Sequence, residues 1–432
     1  MKSILALMGS IGLAAAADAD NSVLLRGGTV HPVTGAEIAG GSVLVLDGVI
    51  SEVGLKVTLP RDKAKKIRIV DIKGLHVYPG MINSGTSIGL QEISSIRETS
   101  DTSELGEFNP QLRAIIAVNP ASEHIPVTRA NGVTSVITMP GGGLIGGQAA
   151  LIRLDGWTWE EMAVVRSAAL HLSFPALGGG FGRGGGGGGG RGGGQRASFS
   201  ESKRRHDETV GRLREFFEQA RRYQKAKAAG GAGFRQDLKL EAMLPVLDGK
   251  LPVLITASRE RTIREAIEFA EKEKIRPILA NVRRPGKTLA DLKAKNIPVI
   301  LAETLALPME EDDPYDAAFT LPAELHKAGV KFAFGTFDVQ FARNVPFQAA
   351  AAVAFGLPQE EALKAVTINA AEIWGVADKL GSIEKGKWAD LIVTTDDPLE
   401  ARSEIKHVFI GGRSVSLDSK HHELYQKHLN RP

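Results

Sequence analysis

Between residues 77 and 380 short apolar runs alternate with amphipathic helical stretches, the pattern of a parallel sheet with crossover helices. Residues 133–139, 253–257, 277–280, 298–302 and 330–334 are compact apolar runs. Between them Ile263, Ala266, Ile267 and Ala270 fall on one helical face, and so do Leu289 and Leu292. Setting aside an apparent insertion at 178–230, the stretch amounts to about 250 residues, the length that a closed (β/α)8 barrel takes. An open doubly wound sheet is the alternative, but no Gly-x-Gly-x-x-Gly turn leads into a helix near the start. The expected fold class is therefore α/β, with a (β/α)8 TIM-type barrel over 77–380.

Both flanks have a β texture. Residues 22–30, 42–46, 49–53 and 67–72 are short apolar pieces punctuated by Gly27-Gly28, Gly40-Gly41 and Asp47-Gly48, and Asp-Gly between such runs marks a hairpin. The same texture returns at 390–395, 406–410 and 414–417. Residues 20–76 and 381–420 are accordingly expected to form one composite β-sandwich domain from both chain ends, with a polar tail at 421–432.

Composition narrows the chemistry. Fifty-three Lys and Arg against 50 Asp and Glu leave a net charge of +3, which favours neither nucleic acid nor a charged membrane surface. Cysteine is absent, which excludes disulfides, a thiol nucleophile and thiolate metal sites. Lys2, the apolar run at 4–17 and the small residues Ala15, Ala17 and Ala19 read as a secretory signal over 1–19, so an exported, periplasmic or secreted protein is expected. A buried N-terminal helix is the other reading of that segment, which falls short of the about 20 apolar residues of a membrane span. The glycine-rich segment at 178–200 is too rich in backbone entropy for a packed element and is expected to be a floppy linker. Its Arg183-Gly-Gly and Arg191-Gly-Gly echo RNA-binding segments, a reading that an exported, nearly neutral chain disfavours. Residues 201–229 read as a helix with Val210, Leu213, Phe217 and Ala220 on one stripe, stopped by Gly230-Gly231 and packed on the barrel or over its mouth.

Two stretches resemble the amidohydrolase superfamily, the metal-dependent hydrolases that include urease, dihydroorotase and the imidazolonepropionase-like branch. The first is Gly74-Leu-His-Val-Tyr-Pro-Gly-Met-Ile-Asn83, similar to the approach to barrel strand 1. The second runs from Ala349 through Gly356-Leu357, Glu361-Ala-Leu363, Thr367-Ile-Asn-Ala-Ala371, Gly381-Ser-Ile-Glu-Lys-Gly-Lys387 and Ala389-Asp-Leu391 to Gly411-Gly-Arg413. The resemblance implies a barrel with a composite sheet domain, and a zinc or other divalent metal centre whose bound hydroxide attacks an amide-like carbon at the C-terminal barrel face.

The motifs that carry that chemistry are degenerate. The superfamily signature Pro-Gly-x-x-Asp-x-His-x-His falls on Pro79 to Ser87, where Asn83 replaces the Asp, and Gly85 and Ser87 replace both histidines. Glycine offers no ligand atom, and an amide or hydroxyl is a poor zinc donor beside imidazole. At the fifth strand the ligand slot falls on Thr256 or Ser258, and at the sixth on Ala280-Asn281. At the eighth, Gly335-Thr-Phe-Asp338 either fills the slot of the superfamily's metal-binding Asp with a one-residue shift or sets Asp338 beside it. Among ten histidines only His124 and His171 come from barrel territory; His31 and His76 lie by the sheet domain, and His206 and His326 on surface-type helices. His171 is the best remaining ligand, with a strand-end histidine bonded to backbone as the plainer alternative. One His and one Asp fall short of the three protein ligands of a catalytic zinc, so no cofactor is expected.

Other motifs point less far. The run 140–147, Gly-rich after the second strand, reads as an anion-binding loop or, more plainly, a mobile one. Trp157, Trp159, Glu160 and Glu161 read as a packed helix start, and His421, His422 and His428 as part of a solvated tail. Two functions are expected from the resemblance. One is a hydrolase of C–N bonds in a cyclic amide, imide or short peptide-like substrate, with Asp338 as general base and Asn83, Ser87, Thr256, Ser258 and His171 binding substrate. The other is a metal-free barrel that binds a small molecule or a partner without turnover. Pairing with itself or with a related amidohydrolase subunit is expected in either case.

Overall fold

The structure, a computed structural model, describes residues 21–60, 67–176, 198–230, 233–309, 311 and 313–431. The signal reading of 1–19 and nearly all of the glycine-rich segment at 178–200 lie outside the described residues. No helix among the described residues is long and apolar enough to cross a membrane.

The chain begins with β1 (Val23–Val30), β2 (Ile38–Leu46), β3 (Val49–Gly54), β4 (Arg68–Asp71) and β5 (His76–Pro79). After β5 it turns directly into the barrel with β6 (Met81–Thr86), α1 (His124–Arg129), β7 (Val133–Thr138), β8 (Ile145–Arg153), α2 (Trp159–Met162) and β9 (Ala163–Ser173). The barrel continues through α3 (Phe199–Ala229), α4 (Leu238–Leu247), β10 (Val253–Thr256), α5 (Glu260–Glu273), β11 (Pro277–Val282), α6 (Leu289–Ala294), β12 (Val299–Leu301), α7 (Ala317–Lys327) and β13 (Phe332–Phe334). Helices α8 (Val345–Ala354), α9 (Gln359–Ala365) and α10 (Ile368–Ile373) lead back to β14 (Leu391–Thr394), β15 (Ile405–Ile410) and β16 (Arg413–Val415). The tail expected to be merely polar forms α11 (Lys420–Leu429), which buries no residue.

Strands β6 to β13 hydrogen-bond in chain order as an eight-stranded sheet. The ring is nearly closed where Thr336 and Phe337, just past β13, donate their backbone N–H groups to the Gly85 carbonyl on β6 at 3.0 and 2.8 Å. Alternate residues separate two cores, as the period of a strand requires. Ile82, Ile137, Leu151, Ala169, Leu254, Ile278, Ala280, Ile300 and Ala333 pack together inside the ring. Leu279, Val299, Leu301 and the α5 face of Ile263, Ala266, Ile267 and Ala270 belong to the outer layer.

The third strand departs from the uniform β/α alternation. β8 runs antiparallel to both β7 and β9, while the other neighbouring pairs from β6 to β13 run parallel. Only residues 139–144 join β7 to β8, and a parallel crossover takes a dozen or more, so the chain can only return as a hairpin. The run read as a loop at 140–147 is therefore that turn followed by the first residues of β8. The apparent insertion at 178–230 is also revised, since α3 and α4 form the crossover between β9 and β10. Leu213, Phe216, Phe217 and Ala220 of α3 are buried, with Phe217 edge-on to Phe269 of α5 at 5.5 Å between ring centroids. Ser198 caps its start by accepting from the Glu201 N–H at 3.2 Å. His206, expected on a surface, is buried beside Glu265, 3.2 Å from its Oε2. Trp157, expected in a packed helix start, is exposed, and α2 begins at Trp159 behind the Thr158 cap.

The second sheet joins both chain ends in the order β16-β15-β14-β5-β1-β2-β3, with β4 beside β1. The ends meet where β14 pairs antiparallel with β5, Ile392 opposite Tyr78. Val23, Leu25, Val43, Val45, Val77, Leu391, Val393 and Phe409 share one core, so neither end buries its apolar face alone. Gly80 carries the chain from this sheet into the barrel, and any Cβ there would collide with the Thr134 side chain. The two domains are also tied by charge. Arg153, at the end of β8, meets Asp390 at 3.0 Å, and Asp155 is bound by Arg129 at 3.3 Å and by Arg413 at 2.8 Å.

Candidate functional site

The C-terminal ends of the barrel strands gather the residues singled out above. Asn83 is fully buried, and its side chain stitches the first strand to the segment after the eighth. Its Nδ2 donates to Thr336 Oγ1 at 2.9 Å and to the Ala342 carbonyl at 3.2 Å, while its Oδ1 accepts from the Gly85 N–H at 3.1 Å. Each polar atom of the amide therefore has a partner within the protein, which gives Asn83 a part in closing the ring.

His171 and Thr256, on the adjacent strands β9 and β10, meet at 2.9 Å through Nε2 and Oγ1. Burial pushes the imidazole down to about 4, with the Pro140 carbonyl opposing the shift, so His171 is neutral at pH 7. A depressed histidine contributes stability that is present above its unfolded value of about 6.5 and is lost as pH falls from there toward 4. His171→Gln should therefore flatten the acid limb of a denaturation series. Between pH 7 and pH 4 the native protein should lose about 3 kcal/mol more than the variant, and equal losses would contradict the burial argument.

Asp338 is half-buried. Its Oδ1 accepts from the Phe341 N–H at 2.9 Å, and its carbonyl accepts from Thr86 Oγ1 at 2.8 Å and from Thr336 Oγ1 at 3.1 Å. Two charged residues not identified in the sequence accompany it. Glu303 follows β12 and Arg283 follows β11, so Arg283, Glu303 and Asp338 come from three consecutive strand ends. Half-burial pushes the Glu303 carboxyl above its ordinary value; Arg283 opposes this and the Asp338 charge adds to it. Glu303 was findable, because it immediately follows an apolar run read as a strand, the place where a barrel presents its chemistry. Ser87 and Ser258 are half-buried at the ends of β6 and β10. The Ser258 carbonyl accepts from the Arg283 and Arg284 N–H groups at 3.1 and 2.8 Å. Among the described residues no side-chain hydrogen bond joins Ser87 or Ser258 to the other candidates.

Among the described residues the donors that a divalent metal needs do not converge. Among the described residues no group of three or more His, Asp or Glu side chains is placed to hold a metal ion. The hollow facing Gly85 is instead taken by the Phe337 ring. A Cβ built on Gly85 would lie 3.0 Å from Phe337 Cε1, and one on Gly335 would lie 3.1 Å from Cε2. The residues present do not fit the metal centre that the resemblance implies.

Comparison with known proteins agrees with this architecture. The profile of the amidohydrolase family matches residues 285–415. The chain is similar to amidohydrolase tasK of Hapsidospora irregularis, with 25% identity over 428 residues that cover 90% of this chain and 41% of that protein. The chain thus spans about two fifths of the length of that curated relative. It is 38% identical to imidazolonepropionase of Porphyromonas gingivalis over 86 residues, 18% of this chain and 20% of the other. The solved structure of an amidohydrolase from Thermotoga maritima MSB8 superposes with a TM-score of 0.77 at 28% identity, covering 91% of this chain and 99% of that one.

Proposed function

Because the chain belongs to the amidohydrolase superfamily, we propose that it hydrolyses a carbon–nitrogen bond of a cyclic amide, imide or short peptide-like substrate at the C-terminal mouth of its barrel, without the two-metal centre. The observation that carries this reading is the placement of Arg283, Glu303 and Asp338 just past the consecutive strands β11, β12 and β13. Asp338 takes a proton from water as its oxygen attacks the carbonyl carbon. Glu303, inclined to hold its proton, gives it to the leaving nitrogen as the C–N bond breaks. Arg283 supports the charge that develops on the carbonyl oxygen. Thr256, Ser258 and Ser87 offer hydroxyls to the substrate, while Asn83 and His171 hold the mouth in shape. The signal read at residues 1–19 supports an exported, periplasmic or secreted setting for this activity, and a copy of the chain or a related amidohydrolase subunit is its proposed partner.

A second reading, a barrel that binds its ligand without turnover, is favoured by the Phe337 ring packed against Gly85, the position where the resembled motif carries a His. Assays of hydantoins, lactams and dipeptides in the presence of a chelator separate the readings. Hydrolysis that survives chelation and fails in Asp338→Asn supports the first, and binding without hydrolysis supports the second. Hydrolysis abolished by chelation would overturn the metal-free mechanism.

A further inference from the structure

We propose that Phe337 is a fixed aromatic plug, seated in a hollow that exists only because both Gly85 and Gly335 lack side chains. The inference stands apart from the question of turnover. Three independent features carry it. The first is position: the ring lies within tight contact range of the Cβ sites of Gly85 and Gly335, at 3.0 and 3.1 Å, and packs on the barrel-interior cluster that includes Ile82 and Ile300. The second is backbone. Phe337 has φ of 50°, a left-handed conformation that a bulky residue adopts only when its surroundings impose it, and its N–H donates to the Gly85 carbonyl at 2.8 Å. The third is anchoring. The residue after the ring is tied down on both sides, its carboxylate accepting from the Phe341 N–H at 2.9 Å and its carbonyl accepting from Thr86 Oγ1 at 2.8 Å and from Thr336 Oγ1 at 3.1 Å. The position where a metal-binding His would stand, Gly85, and the ring that excludes it are thus two halves of one arrangement.

Gly85 itself is not in the left-handed region, so its backbone accepts a side chain and only the ring stands in the way. This predicts a specific coupling. Gly85→Ala and Gly85→His should each lower the denaturation midpoint in the native background, the histidine far more. In the Phe337→Ala background both should leave the midpoint nearly unchanged, because a phenyl ring takes up more room than an imidazole. Phe337→Leu provides a second background should the alanine variant fail to fold, and there the penalty of Gly85→His should fall to an intermediate value. Phe337→Gly should be more stable than Phe337→Ala, since glycine relieves the left-handed strain while both lack the ring. Penalties at Gly85 that are the same with and without the ring would overturn the plug, as would a Phe337→Gly variant no more stable than Phe337→Ala.

Discussion

Replacing Asp390 with alanine should lower the unfolding free energy by about 3 kcal/mol or more, the range seen when one partner of a buried ion pair is removed. The carboxylate is almost wholly buried where the two domains meet. It receives Arg153 Nε at 3.0 Å and the Gly411 N–H at 2.8 Å. Burial pushes its protonation upward, and Arg153 together with the Gly411 N–H opposes that shift. Removal would leave the Arg153 guanidinium, which stacks 4.0 Å over the Trp388 ring, facing a barrel-to-sheet contact with no counter-charge from Asp390. Asp390→Asn keeps an oxygen for the Gly411 N–H and should lose distinctly less than the alanine variant. Chemical denaturation of the three proteins checks this, and an alanine variant as stable as the parent would show that the pair contributes nothing to holding the domains together.

The second large effect is expected at the mouth. Asp338→Asn and Glu303→Gln should each reduce turnover of a hydrolysed amide by roughly a hundredfold to ten-thousandfold, the usual contribution of one general acid or base. Both variants keep shape and hydrogen-bonding capacity, so the midpoint of denaturation should move little. The two should differ in pH dependence. Asp338→Asn should remove the acidic limb of the rate profile, because an ionised base is needed, whereas Glu303→Gln should remove the basic limb, because a protonated acid is needed. Since half-burial raises the Glu303 carboxyl, that basic limb should lie above the ordinary carboxylate range. Loss of neither limb in either variant would remove both residues from the chemistry.

Much of the architecture could be read in residue order because the barrel strands announce themselves as apolar runs. The stretches at 133–139, 253–257 and 277–280 coincide closely with β7, β10 and β11. The α5 face was legible because Ile263, Ala266, Ile267 and Ala270 repeat at helical spacing. The reversal of β8 was not, since Gly141, Gly142 and Gly143 look like a loop whether or not the next residues join a sheet. His206 reads as a surface residue because its helix is otherwise highly charged, whereas in the fold it meets Glu265 of α5 and the edge of the Phe174 ring, contacts that its own helix does not announce. At the mouth, His171 and Thr256 were identified separately, and only the pairing of β9 with β10 brings them together. Phe337 was invisible as a site residue because an apolar ring near a strand end reads as ordinary core. Its meaning depends on the glycines facing it from 252 and 2 positions away in the chain.

The central claim is that the mouth of this barrel does not hold the superfamily's metal centre, and elemental analysis tests it most directly. Protein produced with added zinc and dialysed exhaustively should retain less than one tightly bound equivalent, with no difference between the parent and Asp338→Ala. About two equivalents in the parent, lost in Asp338→Ala, would contradict the account and place the missing ligands among side chains assigned here to other roles.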